Sequence, residues 1–202
     1  SVLCATPSIV VEDGGTFDLN GLSMNVATSV YIAGDGAGSW PWALTSSGGA
    51  FSGSIQKLYL TGDATVGGDN QIVLGANWSG SYGYLDGHTL TKTGSGELLA
   101  RNFNTPQTGG IIVSEGTLTT SQWNCLDRAG GTTTLTIMAG ATFIGSNQQA
   151  NPPAVTVLNW DGTLNTTSRK IIVNNTLNGG GETAQLEFAN GAGTDRDRKS
   201  VV

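Results

Sequence analysis

Charge is scarce in this chain of 202 residues: Asp, Glu, Lys and Arg together make up 12%, about half the roughly 25% of an ordinary globular protein. Nine residues are basic and the net charge is −6. That balance argues against a nucleic-acid partner, because such binding depends on neutralising phosphates. Histidine occurs once, at His88, which excludes a zinc site built from several imidazoles and leaves a serine triad a single base to draw on. Cysteine occurs only at Cys4 and Cys125, too few for a disulfide framework. No apolar run approaches the roughly 20 residues of a membrane helix. The Ala, Leu, Glu and Lys that fill helix surfaces are also sparse, so a helical protein is not expected.

What the chain does hold is glycine, at 31 positions, among many Thr, Ser, Asn, Val and Ile. The glycines follow no three-residue period, so collagen is excluded. The hydrophobic content of 38% with modest net charge does not match a disordered chain. An all-β chain punctuated by turns remains.

One short unit recurs: two apolar residues one apart, a Gly turn, then Thr or Gly before another apolar residue. It appears as IVVEDGGTFDL from Ile9, LYLTGDATVGG from Leu58, IIVSEGTLTT from Ile111, LTIMAGATFIG from Leu135 and VTVLNWDGTLN from Val155. LDGHTLTKTG from Leu85 is a partial copy. Alternation at period two marks half-buried strands, and Gly with Asp, Asn or Ser between them supplies the turns. The units begin about 20 to 26 residues apart, the range of a solenoid repeat, and Ile9 to Leu58 has room for two. A right-handed parallel β-helix is expected, with a β-sandwich as the alternative fold. Its inward ladder should hold Val11, Phe17, Leu19, Leu60, Val66, Leu90, Val113, Leu118, Ile137, Phe143, Val157 and Leu164, and Val113→Asp should be damaging where Thr119→Asp is tolerated. Thr, Ser and Asn should bond from coil to coil on the outside. Two segments depart from the repeat and read as loops: Gly34 to Ala50, with Trp40-Pro41-Trp42, and Asn147 to Pro153. Cys4 and Cys125 lie about five coils apart, roughly 20 Å at a coil spacing near 4.8 Å, beyond the reach of a disulfide.

The stretch Leu90 to Thr120 resembles the autotransporter-associated β-strand repeat. Leu90, Lys92, Gly94, Gly96 and Leu98 match its first half, Asn102-Phe103 its turn, and Gly109, Gly110, Ile112, Gly116 and Leu118 its second half. GDATVGG followed by LDGHTLTKTG is similar to what precedes this repeat in large secreted bacterial proteins. Arg101 and the longer NTPQT turn depart from the pattern. The resemblance implies a bacterial secreted or outer-membrane-associated surface β-helix, often an exported passenger. Its partners would be surface glycans or a host or neighbouring cell surface, together with the rest of a longer chain. It brings no catalytic residues and no cofactor. As a member of that consensus, Lys92 is expected on the outer face.

The last six residues, Asp197 to Val202, read as the translation of a common sequencing adapter. Residues 1–196 are therefore expected to be a β-helix fragment of a larger protein and 197–202 a non-native tail. Residues after about Asn190 should then lack regular structure, and the isolated fragment should associate through its terminal coils.

An enzymatic β-helix acting on acidic polysaccharides would gather carboxylates, and a calcium site needs six to eight oxygens. The acids here are scattered, mostly beside Gly; Asp63 and Asp86 are a pair that stacked turns could bring together. Trp40, Trp42, Trp78, Tyr82 and Tyr84 are the binding candidates, because aromatic rings in Gly/Ser-rich loops can offer flat faces to sugars. The expected role is structural or adhesive and non-catalytic. The competing roles are a polysaccharide lyase or hydrolase fragment and a phage-tail-like fibre.

Overall fold

Alternating side chains point to opposite faces of a strand, and the burial of each segment follows that period. In Ser29–Gly34, Val30 and Ile32 are buried while Ser29 and Tyr31 are half-exposed. In Thr132–Ile137, Thr133, Leu135 and Ile137 are buried and Thr134 and Thr136 are not. The computed structural model describes residues 7–25, 27–48, 52–75, 82–101, 103, 108–120, 132–145, 154–160, 163–165, 172–179, 184–187 and 198–201, with burial described as far as residue 144 and at Leu158 and Asn159. None of these residues is helical.

The strands stack as a parallel β-solenoid. One sheet runs Ser8–Val11, Ser29–Gly34, Lys57–Gly67, Thr89–Thr93, Thr108–Val113, Thr132–Ile137, Ala154–Trp160 and Ile172–Gly179, each strand hydrogen-bonded to the next. A second runs Gly53–Ile55, Ile72–Leu74, Glu97–Ala100, Thr117–Thr120, Thr142–Gly145 and Thr163–Asn165. Every pairing within these two sheets is parallel. The β-sandwich alternative, whose strands would pair antiparallel, is therefore excluded. The room for two units between Ile9 and Leu58 is filled by the strand at Ser29, which lies between Ser8–Val11 and Lys57–Gly67.

Lys57–Gly67 shows how a coil turns its corner. Its first half pairs with Ser29–Gly34 and Gly83–Tyr84, its second with Leu44–Thr45 and Thr89–Thr93. One strand thus continues through a corner where the preceding coil breaks into two strands and sends out residues 35–43. The loop expected over Gly34 to Ala50 is shorter than read: Leu44 and Thr45 return to the sheet between Phe17–Asp18 and Val66–Gly67.

The inward files carry the core. Ala64, Leu90, Ile111, Leu135 and Leu158 stand side by side, as do Leu98, Leu118 and Phe143, and all are essentially without solvent contact. Of the expected ladder, Val11, Leu19, Leu60, Val66, Leu90, Val113, Leu118, Ile137 and Phe143 are buried. Phe17 packs against the core only in part, and Leu164 stands in register with Phe143. At Val157 the ladder passes instead through Leu158, in register with Leu135, while Val157 stands beside Thr134. Against the following strand the register shifts between Val155 and Val157. The expectation that Thr119 is a tolerant outward position is also corrected. It is 7% exposed, its hydroxyl donating to Glu97 Oε1.

The chain end differs from expectation. Arg198–Val201 forms a strand paired antiparallel with Ala184–Glu187, where residues beyond Asn190 were expected to have no regular structure. Cys4, Cys125 and the loop at Asn147 to Pro153 lie outside the described residues.

Candidate functional site

The acids, scattered along the sequence, are gathered by stacking into coil-to-coil fasteners. Asp18 Oδ1 accepts the Ser47 N–H at 2.8 Å, and its other oxygen accepts the Ser47 hydroxyl. Thr65 donates to Asp35, Ser95 Oγ to Asp69 Oδ1 at 2.8 Å, and the Thr89 N–H to Asp63 Oδ1 at 2.7 Å. Glu97 accepts from Gln71 on one side and Thr119 on the other, so it ties three coils. Glu115 Oε2 accepts the Gly94 N–H at 2.9 Å and Thr93 Oγ1 at 3.1 Å. At Asp18 burial pushes the carboxyl up, but the bonds from Ser47 and Asn20 outweigh it and hold it below the usual carboxylate range. The expected Thr/Ser/Asn bonding between coils is present, as Asn159 Nδ2 to Thr136 Oγ1 at 3.1 Å also shows. Asp63 also lies 3.9 Å from His88 Nδ1. Among the described residues no three His, Cys, Asp or Glu side chains converge as a metal site.

Lys92 overturns its outer-face assignment. It stands in the inward file between Val66 and Val113 and is 1% exposed. A buried ammonium must be hydrogen-bonded, and Nζ donates to the carbonyls of Thr93 at 2.8 Å, Gly94 at 2.8 Å and Glu115 at 3.2 Å. Burial pushes its pKa down to about 8, against the opposing pull of the Glu115 and Asp69 charges.

The aromatic candidates separate into two groups. Trp40 and Trp42 meet edge to face, centroids 6.2 Å apart and planes at 78°, so they do not form the coplanar platform expected of sugar-binding rings. Trp40 is 41% exposed. Trp42 is half-buried, lying so close to Gly67 that a Cβ there would come within 2.5 Å of its Nε1. They line a cleft of about 320 Å³ together with Ser39, Thr45, Ser46, Ser47, Gly68, Asp69 and Asn70.

Tyr82 and Tyr84 lie elsewhere, edge to face at 6.2 Å and 81°. Tyr84 is stacked on Tyr59 at 4.4 Å and 5°, and Tyr59 on Tyr31 at 4.8 Å and 16°. Stacked rings cover one another's faces, so Tyr59 has neither face open and Tyr84 has one taken. Burial and the neighbouring Tyr59 push the Tyr84 phenol up. Tyr31 and Tyr59 were not among the sequence candidates. Their signal was the repeated apolar-Tyr-apolar triplet, VYI, LYL and then GYL, at equivalent places in successive coils. Trp78 lies outside the described residues.

Comparison with protein-family models, with curated proteins and with solved structures gives no match.

Proposed function

We propose that this chain is a structural and adhesive segment of a secreted or surface-displayed bacterial β-solenoid, without a catalytic role of its own. The observation that carries this reading is the use of its carboxylates. On the described coils Asp18, Asp35, Asp63, Asp69, Glu97 and Glu115 each accept hydrogen bonds from a neighbouring coil. An enzyme acting on polysaccharides needs such groups turned toward substrate; a stalk needs them holding coil to coil. The Trp40–Trp42 cleft then supplies the contact surface, and the likeness to the autotransporter repeat supports the secreted setting. The test is to incubate the whole chain with neutral and acidic polysaccharides, following both retention and the appearance of new chain ends. Retention without cleavage is expected. Sustained cleavage overturns the reading in favour of a lyase or hydrolase, and an obligate trimer in sizing experiments overturns it in favour of a fibre.

A further inference from the structure

The cleft beside Trp40 has the wrong electrostatics for the acidic glycans on which many solenoid enzymes act. Its lining contains the Asp69 carboxylate and neither Lys nor Arg. The Lys92 ammonium, whose charge acts on Asp69, is spent on three backbone carbonyls and is sealed from solvent. A uronate or sulfated unit entering here would lose water around its charge and meet a like charge in exchange.

The same lining suits a pyranose without negative charge. Trp40 keeps exposed indole surface, and a ring of that kind takes the C–H face of a sugar at low entropic cost. Its loop is held in advance. The Trp40 N–H donates to Ala37 O at 3.2 Å, its carbonyl accepts Thr16 Oγ1 at 3.3 Å, and Pro41 restricts the backbone that follows. Opposite, Asn70 Nδ2 donates to Ser46 O at 3.0 Å and Ser95 Oγ donates to Asp69 Oδ1 at 2.8 Å. These bonds orient the amide and the carboxylate, so that Asn70 Oδ1 and Asp69 Oδ2 can accept from sugar hydroxyls or an amino group. A volume of about 320 Å³ is at the lower end of ligand pockets, which run from roughly 300 to 1,000 Å³, and fits a short saccharide rather than a long chain.

We propose that this cleft binds a neutral or amino-bearing saccharide unit and rejects uronates, with Trp40 as the stacking surface and Asp69 and Asn70 as the hydroxyl or amine acceptors. The proposal rests on the adhesive reading above and adds the class of ligand and the place. It is tested by titrating the whole chain with three probes: a neutral β-linked glucose oligomer, a glucosamine oligomer and a galacturonate oligomer of equal length. At least one of the first two is expected to bind ten times or more tightly than the galacturonate, with the preference for the amine falling in Asp69→Asn. Trp40→Ala, at an exposed position, should keep the melting temperature and lose at least tenfold in affinity. Equal or tighter galacturonate binding, unchanged binding by Trp40→Ala, or no binding of any probe overturns the inference. None of these three outcomes produces new chain ends, so the non-catalytic reading fails separately, by cleavage alone.

Discussion

Lys92 and Glu115, one coil apart, hold each other through the backbone: the ammonium donates to the Glu115 carbonyl at 3.2 Å, while the Glu115 carboxylate turns back to accept the Gly94 N–H at 2.9 Å. The ammonium is thus satisfied by backbone carbonyls, one of them from Glu115, and the Glu115 carboxylate by the turn two residues beyond Lys92. Stacked turns bring several carbonyls to one point in the corner. A lysine that reaches them from the inward file gathers three acceptors without exposing itself.

Lys92→Met should remove that donor while filling similar space, leaving buried carbonyls short of a partner at a cost of about 1–3 kcal/mol. Its pH dependence is distinctive. The folded pKa of about 8 lies below the ordinary lysine value of 10.5. Between these values the unfolded chain binds the proton and the folded chain does not, so stability rises with pH in that window and the contribution is reduced below it. The gap between wild type and Lys92→Met should widen from pH 8 to pH 10 in urea midpoints. Higher pH is less informative, because the raised Tyr84 pKa lowers stability above pH 10. A pH-independent gap would contradict the buried ammonium.

Glu97 ties three coils, accepting from Gln71 behind and Thr119 ahead. Glu97→Ala is expected to cost about 2 kcal/mol, since two charge-assisted bonds are lost at a half-buried site. Thr119→Ala should cost less, and the double variant should fall short of the sum because one bond is shared. Strict additivity in a denaturation cycle would show that the two side chains do not interact in solution.

Val113 has no solvent exposure and stands in register with Lys92 and Ile137. Val113→Asp should cost about 3 kcal/mol or more, because its carboxylate is buried and the Lys92 ammonium beside it is already committed to three backbone carbonyls. Thr91 is the appropriate comparison: it is half-buried on the outer face, between Thr65 and Ile112. Thr91→Asp should stay within about 1 kcal/mol of wild type. Equal losses in thermal melts would overturn the register.

Val157 apart, the parity of the strands was legible in the sequence, including at the position where charge misled the reading. The alternation that sends Leu90 inward sends Lys92 inward as well; its charge argued for the surface, and only stacked turn carbonyls reverse that preference. Two of those carbonyls are local, at Thr93 and Gly94, but the third comes from Glu115 a coil away, and no local pattern announces that closure. The same distance hid the acids' roles. Asp beside Gly signals a turn, whereas the partner of Asp18 is Ser47 and that of Asp35 is Thr65. The Trp40 loop was legible as a departure from the repeat. Its cleft was not, because Asp69 and Asn70 are brought to it by the next coil.

Gly94 and Gly87 separate two reasons for glycine at a turn. Both have positive φ, +75° and +87°, where an L-residue costs about 1–2 kcal/mol. Around Gly87 a Cβ would meet nothing within 4 Å, whereas at Gly94 it would come within 2.7 Å of the Gly68 carbonyl oxygen and 2.8 Å of the Gly68 nitrogen. Gly87→Ala should therefore carry the conformational cost alone. At Gly94 the obstacle is backbone of the adjacent coil, which cannot rotate away as a side chain would. The Gly94 carbonyl is also one of the three that hold the Lys92 ammonium, so displacing the turn loosens that contact as well. Gly94→Ala should lose clearly more than Gly87→Ala, by about 2 kcal/mol or more given the penalty for overpacking. It should also flatten the rise in stability between pH 8 and pH 10, which Gly87→Ala should leave intact. Equal destabilisation of the two in chemical denaturation would show that the coils at this corner are not in the close contact described.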